Sequence, residues 1–312
     1  MIELDDKFQK IVDDIRALRI QGATNIAIEG VKAFSSLAER IDFSSLPDYF
    51  EHLKKASILL STARATEPAL RNGLHFILYE LEHQASSVSE AKELVSSLSQ
   101  KYVEMLKDSK RKVISYGAHR IRDNSVIMTH CHSSLSTGII IEAHRQGKNI
   151  EVFLTETRPK WQGRITAREM VDAEIPTTMV VDSAMRYVIN RHNVDIVITG
   201  ADAITSQGTV INKIGTRLLA LAAREMDVPF YTAINLLKYD ASTTIGKLSA
   251  IEFRPSSEVW EDPPKGLRIL NPAFETVSRD LIDGVITEAG IFAPSLVYMI
   301  IKENYPFMLL NE

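Results

Sequence analysis

The single cysteine of the chain, Cys131, stands in Met128-Thr-His-Cys-His-Ser-Ser134, between two histidines and ahead of two serines. A thiol acts as a base or nucleophile through its thiolate, which a nearby positive charge or helix terminus favours. A free cysteine is more often a small buried apolar residue. His130, His132, Ser133 and Ser134 are not neighbours that an apolar pocket selects, so the pattern favours a reactive Cys131. On a strand His130 and His132 would share one face, with Cys131 on the other. Zinc sites draw on further His and Cys at characteristic spacings, and no second cluster is present. No metal is expected, and each histidine is read as a hydrogen-bonded structural residue.

Asp202 is the next candidate. Gly200-Ala-Asp202 follows the apolar run Asp195–Thr199. An aspartate there can be a turn or cap residue. It can equally be a carboxyl group delivered into a cleft, where apolar walls raise its pKa and make it a general acid. Asn212-Lys-Ile-Gly-Thr216 resembles an anion cradle: lysine supplies charge, glycine allows close approach, and a helix start offers N–H groups. The Walker pattern is absent. Lys238, Arg158 and Lys160 read first as solvated surface cations, although Trp161 beside the latter two suggests a shaped loop.

These residues need elements to position them. Through roughly residue 120 the chain reads as helical. Phe8, Ile11, Val12, Ile15 and Leu18 have helical spacing, as do Ile26, Ile28, Val31, Phe34 and Leu37 after a break at Gln21-Gly-Ala-Thr24. Leu46 to Leu60 makes a third helix. Pro68 breaks helix in the loop Arg64-Ala-Thr-Glu-Pro68. Ser87-Val-Ser-Glu90 caps a long helix toward Tyr116. From Ser125 short apolar runs alternate with amphipathic ones. Strands are expected at Val126–Thr129, Glu151–Thr155, Thr178–Val181, Asp195–Thr199 and Val228–Ala233, with a late one at Gly284–Thr287. Helices are expected around Ala167–Ala173, Ser183–Arg191 and Lys213–Met226. This order argues for an α/β fold, a parallel sheet with helices on both faces. Pro255, Pro263 and Pro264 mark a surface loop. Ligands of such sheets bind beyond the carboxyl ends of the strands, where Cys131, Thr155–Gly163, Asp202 and Asn235–Lys238 would converge.

Composition excludes other classes. The 312 residues are 45% hydrophobic and 24% charged, with net charge -4. That balance is globular and gives no global attraction to nucleic acid or anionic membranes. No apolar stretch is long enough to span a bilayer. The acidic start, Met-Ile-Glu-Leu-Asp-Asp, lacks a signal-peptide core, and one cysteine suits a reducing, cytoplasmic setting.

Cys131, Gly200-Ala-Asp202 and Asn212-Lys-Ile-Gly-Thr216 together resemble one superfamily. It comprises methylthioribose-1-phosphate isomerase, archaeal ribose-1,5-bisphosphate isomerase and the regulatory alpha, beta and delta subunits of translation initiation factor 2B. The resemblance spans nearly the whole chain, including Asn271-Pro-Ala-Phe274 and Ile286-Thr-Glu288. Asn-Lys-Ile-Gly-Thr is shared across the superfamily. Met128-Thr-His-Cys-His-Ser133 and Thr155-Glu-Thr-Arg-Pro-Lys-Trp-Gln-Gly163 look like the archaeal bisphosphate isomerases, and Asp202 keeps the acid that the isomerases use.

The resemblance implies a helical domain over residues 1–120 and a Rossmann-like catalytic domain over 121–312. It implies an aldose–ketose isomerase that makes ribulose 1,5-bisphosphate in AMP breakdown. Cys131 would accept the proton from the second carbon and Asp202 would donate to the ring oxygen, with no redox cofactor. Substrate contacts carry over to Gln21, Gly22, Ala23, Thr24, Arg64, Ser133, Ser134, Asn212, Lys213 and Lys238. AMP would be an activator, and the chain would form dimers or hexamers built from them, without nucleic-acid or membrane partners. Family isomerases usually carry Arg at the position of Gln21 and tend to carry Lys at that of Ser134; neither residue here is charged. An initiation-factor-2B-like regulatory subunit and an isomerase of another sugar 1-phosphate are the competing expectations.

Overall fold

The computed structural model describes residues 5–20, 22–64, 66–247 and 251–309. It divides into two units. One comprises the chain through Asp108, together with Leu237–Ala241 and the segment from Ile301; the other comprises Ser109–Leu236 and Ser242–Ile300.

The first unit is helical. Helices α1 (Asp6–Arg16), α2 (Ala23–Arg40), α3 (Leu46–Ala63) and α4 (Pro68–Gln84) precede the long α5 (Val88–Arg120). Phe8, Val12, Ile15, Ile26, Val31, Phe34 and Leu37 are buried at the helical spacing read from the sequence. Leu18 instead lies beyond the end of α1 with φ 58°. Asp5 caps α1 by accepting from the Phe8 N–H at 2.7 Å. Pro68 starts α4, where its missing N–H costs nothing. Ser87 accepts from the Glu90 N–H at 3.2 Å, while the Glu90 carboxylate reaches back to the Ser86 N–H at 2.8 Å. The segment Leu237–Ala241 is held in this unit by side chains of α4. The Asn72 amide donates to the carbonyls of Leu237 and Tyr239, each at 2.8 Å, and Arg71 pairs with buried Asp240 at 2.7 Å. Asp108 and Ser109, where one unit ends and the other begins, both lie within α5.

The second unit is built on a sheet. Its strands are β1 (Ser125–Thr129), β2 (Ile150–Thr155), β3 (Thr177–Val180), β4 (Ile196–Gly200), β5 (Ala203–Thr205), β6 (Val210–Lys213) and β7 (Phe230–Ala233). The two-residue β8 (Tyr239–Asp240) lies in the helical unit, and β9 (Phe274–Val277), β10 (Gly284–Thr287) and β11 (Gly290–Phe292) follow. The main sheet runs β11-β10-β7-β4-β1-β2-β3. All its pairings are parallel except β10 with β11. The alternating βα grammar dictates this, since parallel strands need helical crossovers. The helices α6 (Ser136–Arg145), α7 (Gly163–Asp172), α8 (Met185–Arg191) and α9 (Thr216–Glu225) supply them. Ile127, Val152, Leu154, Ile196 and Ile198 of the sheet pack with Ile139, Ile140 and Met170 of α6 and α7.

Strand order reverses between β1 and β4, which makes their carboxyl ends the topological switch point of the sheet. A smaller antiparallel sheet holds β5, β6 and β9. It is absent from the expected elements. Lys213, expected to begin a helix, ends β6 instead, and α9 starts at Thr216.

Candidate active site

Cys131 leaves the sheet at the switch point. Strand β1 ends at Thr129, and Cys131 adopts φ 65°. Left-handed backbone costs a non-glycine residue on the order of 1 kcal/mol, so neighbouring groups must hold it. Its N–H donates to the Thr157 hydroxyl and its carbonyl accepts from the Thr166 hydroxyl, both at 3.0 Å. Thr157 is also left-handed, with φ 60°, and is fixed in turn. Asp182 accepts from the N–H groups of Thr157 at 2.8 Å and Arg158 at 2.7 Å. The loop after β2 therefore clamps the loop after β1.

Burial pushes the Cys131 thiol up; Lys213 pulls it down, Asp202 pushes it up, the His132 N–H pulls it down and Asp182 pushes it up, with a net value of about 11. The thiol is thus protonated at neutral pH in the free protein. Its alkylation by iodoacetamide is expected to accelerate about tenfold per pH unit between pH 8 and 10. A rate that levels off by pH 9 would contradict this environment. The sign for stability is the reverse. An unfolded thiol ionises near pH 8.5, so the folded state loses stability as pH rises from about 8.5 toward 11.

The two histidines serve different neighbours. His130 is 1% exposed, and burial holds its pKa below the usual range. Its Nε2 donates to the Ile214 carbonyl at 2.9 Å, which leaves Nδ1 to accept from the Thr155 hydroxyl at 2.6 Å. His132 is half-buried, with Nδ1 3.2 Å from the Thr166 hydroxyl and Nε2 3.8 Å from the Glu169 carboxylate. Strand alternation does not decide their directions, because β1 has ended and the chain has turned at Cys131. Among the described residues no group of three or more His, Cys, Asp or Glu could hold a metal ion.

Asp202 leaves the neighbouring strand, two residues beyond Gly200. It is half-buried, and its N–H donates to the Ile211 carbonyl at 2.9 Å. Gly200 matters because a Cβ there would stand 2.4 Å from the Ser133 side chain. Ser133 is thereby packed against β4, whereas Ser134 is exposed. Asp202 and Lys213 both act electrostatically on the thiol.

The Asn212–Thr216 loop differs from the expected anion cradle in one respect. Gly215 is left-handed, φ 102°, and caps α9. The N–H groups of Gly215 and Arg217 donate to the Glu275 carboxylate of β9 at 2.6 and 3.0 Å. That carboxylate occupies donors which a phosphate would need. Asn212 is buried and donates to the Thr216 hydroxyl at 3.0 Å. Lys213 keeps its ammonium 4.7 Å from the centre of the Phe274 ring.

The remaining candidates lie in the helical unit. Gly22, with φ 84°, precedes α2, whose first residues are buried Ala23 and half-buried Thr24. Arg64 ends α3 with its Nε 3.4 Å from Glu67, whose side chain is 2% exposed. Lys238 is buried rather than a solvated surface cation. Gln21 lies outside the described residues. Two further cations of the sheet unit are engaged within it: Arg158 lies over Trp161 at 4.5 Å and donates to the Val259 carbonyl, and Lys160 is 3.8 Å from Glu258. Sequence reasoning missed Thr155, Thr157, Asp182 and Glu275. The two threonines stood inside a loop already singled out; Asp182 and Glu275 act across 25 and 60 residues and left no local signal.

The model of the initiation factor 2 subunit family matches residues 19–294. The chain is 36% identical over 302 residues to the ribose 1,5-bisphosphate isomerase of Archaeoglobus fulgidus, covering 96% of this chain and 94% of that one. It is 36% identical to the ribose 1,5-bisphosphate isomerase of Methanocaldococcus jannaschii, covering 97% of each. Its fold matches a crystal structure of translation initiation factor eIF-2B from Pyrococcus horikoshii OT3 with a TM-score of 0.78 at 31% identity, over 93% of this chain and 98% of that one. With most of its length inside that family model, and a thiol and a carboxyl group leaving the two strands of its switch point, the chain belongs to the initiation factor 2 subunit family.

Proposed function

We propose that this protein converts ribose 1,5-bisphosphate to ribulose 1,5-bisphosphate in the breakdown of AMP. It is an aldose–ketose isomerase, in keeping with relatives of that name that match over nearly its full length. The observation that carries the reading is the placement of Cys131 and Asp202 at the exits of adjacent parallel strands, with the Asp202 charge acting on the thiol.

Isomerisation needs a base and an acid whose environments separate their protonation states. The Cys131 thiolate takes the proton from C2. The Asp202 carboxyl group protonates the ring oxygen as the C1–O bond breaks, leaving an enol phosphate across C1 and C2. The Cys131 thiol then gives a proton to C1 and the Asp202 carboxylate takes the hydroxyl proton at C2, which gives the ketose and returns both groups to their starting states. Electrons stay within the substrate, so no redox cofactor enters. Burial keeps the thiol protonated in the free protein, so the thiolate forms in the substrate complex, where the Lys213 charge favours it. Gln21, Gly22, Ala23, Thr24, Arg64, Ser133, Ser134, Asn212, Lys213 and Lys238 are the proposed substrate contacts. AMP as activator, a homo-oligomer and a cytoplasmic setting complete the proposal; among the described residues no helix is long and apolar enough to cross a membrane.

A second reading has its own observation. Gln21 and Ser134 carry no charge where family isomerases tend to carry cations. Fewer cations suit a sugar phosphate with one phosphate group. Comparing kcat/KM for ribose 1,5-bisphosphate and a ribose 1-phosphate separates the two; a bisphosphate preference below about tenfold, the worth of roughly one weak charge contact, favours the second. Gln21→Arg is expected to lower the KM for the bisphosphate by about tenfold, as a charge-assisted bond to phosphate would. An unchanged KM would remove position 21 from the phosphate site.

A further inference from the structure

We propose that His130 is a positioning residue that ties the loop bearing Lys213 to the strand exit bearing Cys131, so that the ammonium and the thiol are held in register. The inference rests on the isomerase reading for its purpose, but its geometry stands alone. His130 immediately precedes Cys131 and is 1% exposed. A carbonyl can only accept, so the contact with Ile214 at 2.9 Å assigns the proton to Nε2. Nδ1 is then the acceptor for the Thr155 hydroxyl at 2.6 Å, and this fixes the ring from its other side. Ile214 is the residue after Lys213, so the imidazole holds the backbone that presents the ammonium.

The neighbours are shaped for this contact. A Cβ on Gly215 would stand 2.8 Å from the His130 Nε2, so glycine is what lets the loop reach the ring. The Glu275 carboxylate holds the same loop through the Gly215 and Arg217 N–H groups. The loop is therefore pinned by a neutral ring on one side and by a carboxylate on the other. The charged groups acting on the ring are Asp182 and Lys213; those acting on the thiol are Lys213, Asp202 and Asp182.

The test reads the thiol and needs no substrate. Iodoacetamide alkylation of Cys131 is followed against pH in the full-length protein and in His130→Phe, Lys213→Met and the double variant. Lys213→Met is expected to move the thiol titration upward by about one pH unit, because a neighbouring cation has been removed. His130→Phe, which puts an aromatic ring without nitrogens in the same place, should move it in the same direction. The double variant should move it no further than Lys213→Met alone, because both changes remove the same interaction. His130→Gln, whose amide can donate to the Ile214 carbonyl, should cancel most of the shift seen in His130→Phe.

An unmoved titration in His130→Phe, or a double-variant shift equal to the sum of the single ones, would overturn the proposal. If His130→Phe does not fold, Thr155→Val removes the donor to Nδ1 and should raise the titration by a smaller amount; no shift there would likewise overturn it. Failure of the isomerase reading has a different signature, the titration shifts present and no product formed.

Discussion

Cys131→Ser is expected to lower turnover by about three orders of magnitude, within the range associated with loss of a general base. A serine hydroxyl at this place has the same shape and almost no anionic fraction at any pH used in the assay. The fold should survive, because Cys131 is held by its backbone. Its N–H is bonded to Thr157 and its carbonyl to Thr166, and serine keeps both. The thermal midpoint should therefore move by no more than a few degrees, the equivalent of about 1 kcal/mol. Measured kcat within a few-fold of the parent, in protein with an unchanged near-ultraviolet circular dichroism spectrum, would remove Cys131 from the proton transfer.

Asp202→Asn is expected to move two readouts in opposite directions. Turnover should fall by about 10²–10⁴-fold, because asparagine cannot donate a proton to the ring oxygen. In the free protein, with no substrate bound, the thiol should become easier to ionise, because the Asp202 charge there pushes it up. Alkylation of Cys131 at fixed pH should accelerate while catalysis is lost. The substitution preserves shape and the backbone bond from residue 202 to the Ile211 carbonyl. Loss of turnover with slower alkylation would instead indicate a distorted site. Retained turnover would show that another group supplies the proton.

The parts of the fold that were legible in the sequence depend on local pattern. Val126–Thr129 and Gly284–Thr287 are apolar runs bounded by polar residues, and they pair in the parallel sheet as expected. Ser87 and Glu90 mark the start of α5 because a capping box is a contact across three residues. Strand exits were legible for the same reason, since the βα alternation sends them all to one edge.

What was illegible is non-local. Val210–Lys213 is four residues long, too short for alternation to announce a strand, and it is made one by pairing with Phe274–Val277 some sixty residues on. That pairing also brings Glu275 to the start of α9, which the pattern Asn-Lys-Ile-Gly-Thr presents as open to an anion. The left-handed turns at Cys131, Thr157 and Trp161 were equally hidden, because none of these residues favours that backbone. The helical unit gave up its periodicity readily, yet the buried position of Lys238 contradicts the ordinary expectation for a lysine. That position is set by the packing of Leu237–Ala241 against Arg71 and Asn72 of α4.

The central claim is that Cys131 moves the C2 proton of ribose 1,5-bisphosphate. The most direct test follows that substrate by NMR in deuterated water, with the purified protein, with and without AMP. The expected result is ribulose 1,5-bisphosphate formed by the parent and not by Cys131→Ser, with deuterium at C1 to the extent that the Cys131 thiol exchanges with solvent before giving its proton back. Folded protein that binds the sugar phosphate but yields neither product nor exchange would contradict it.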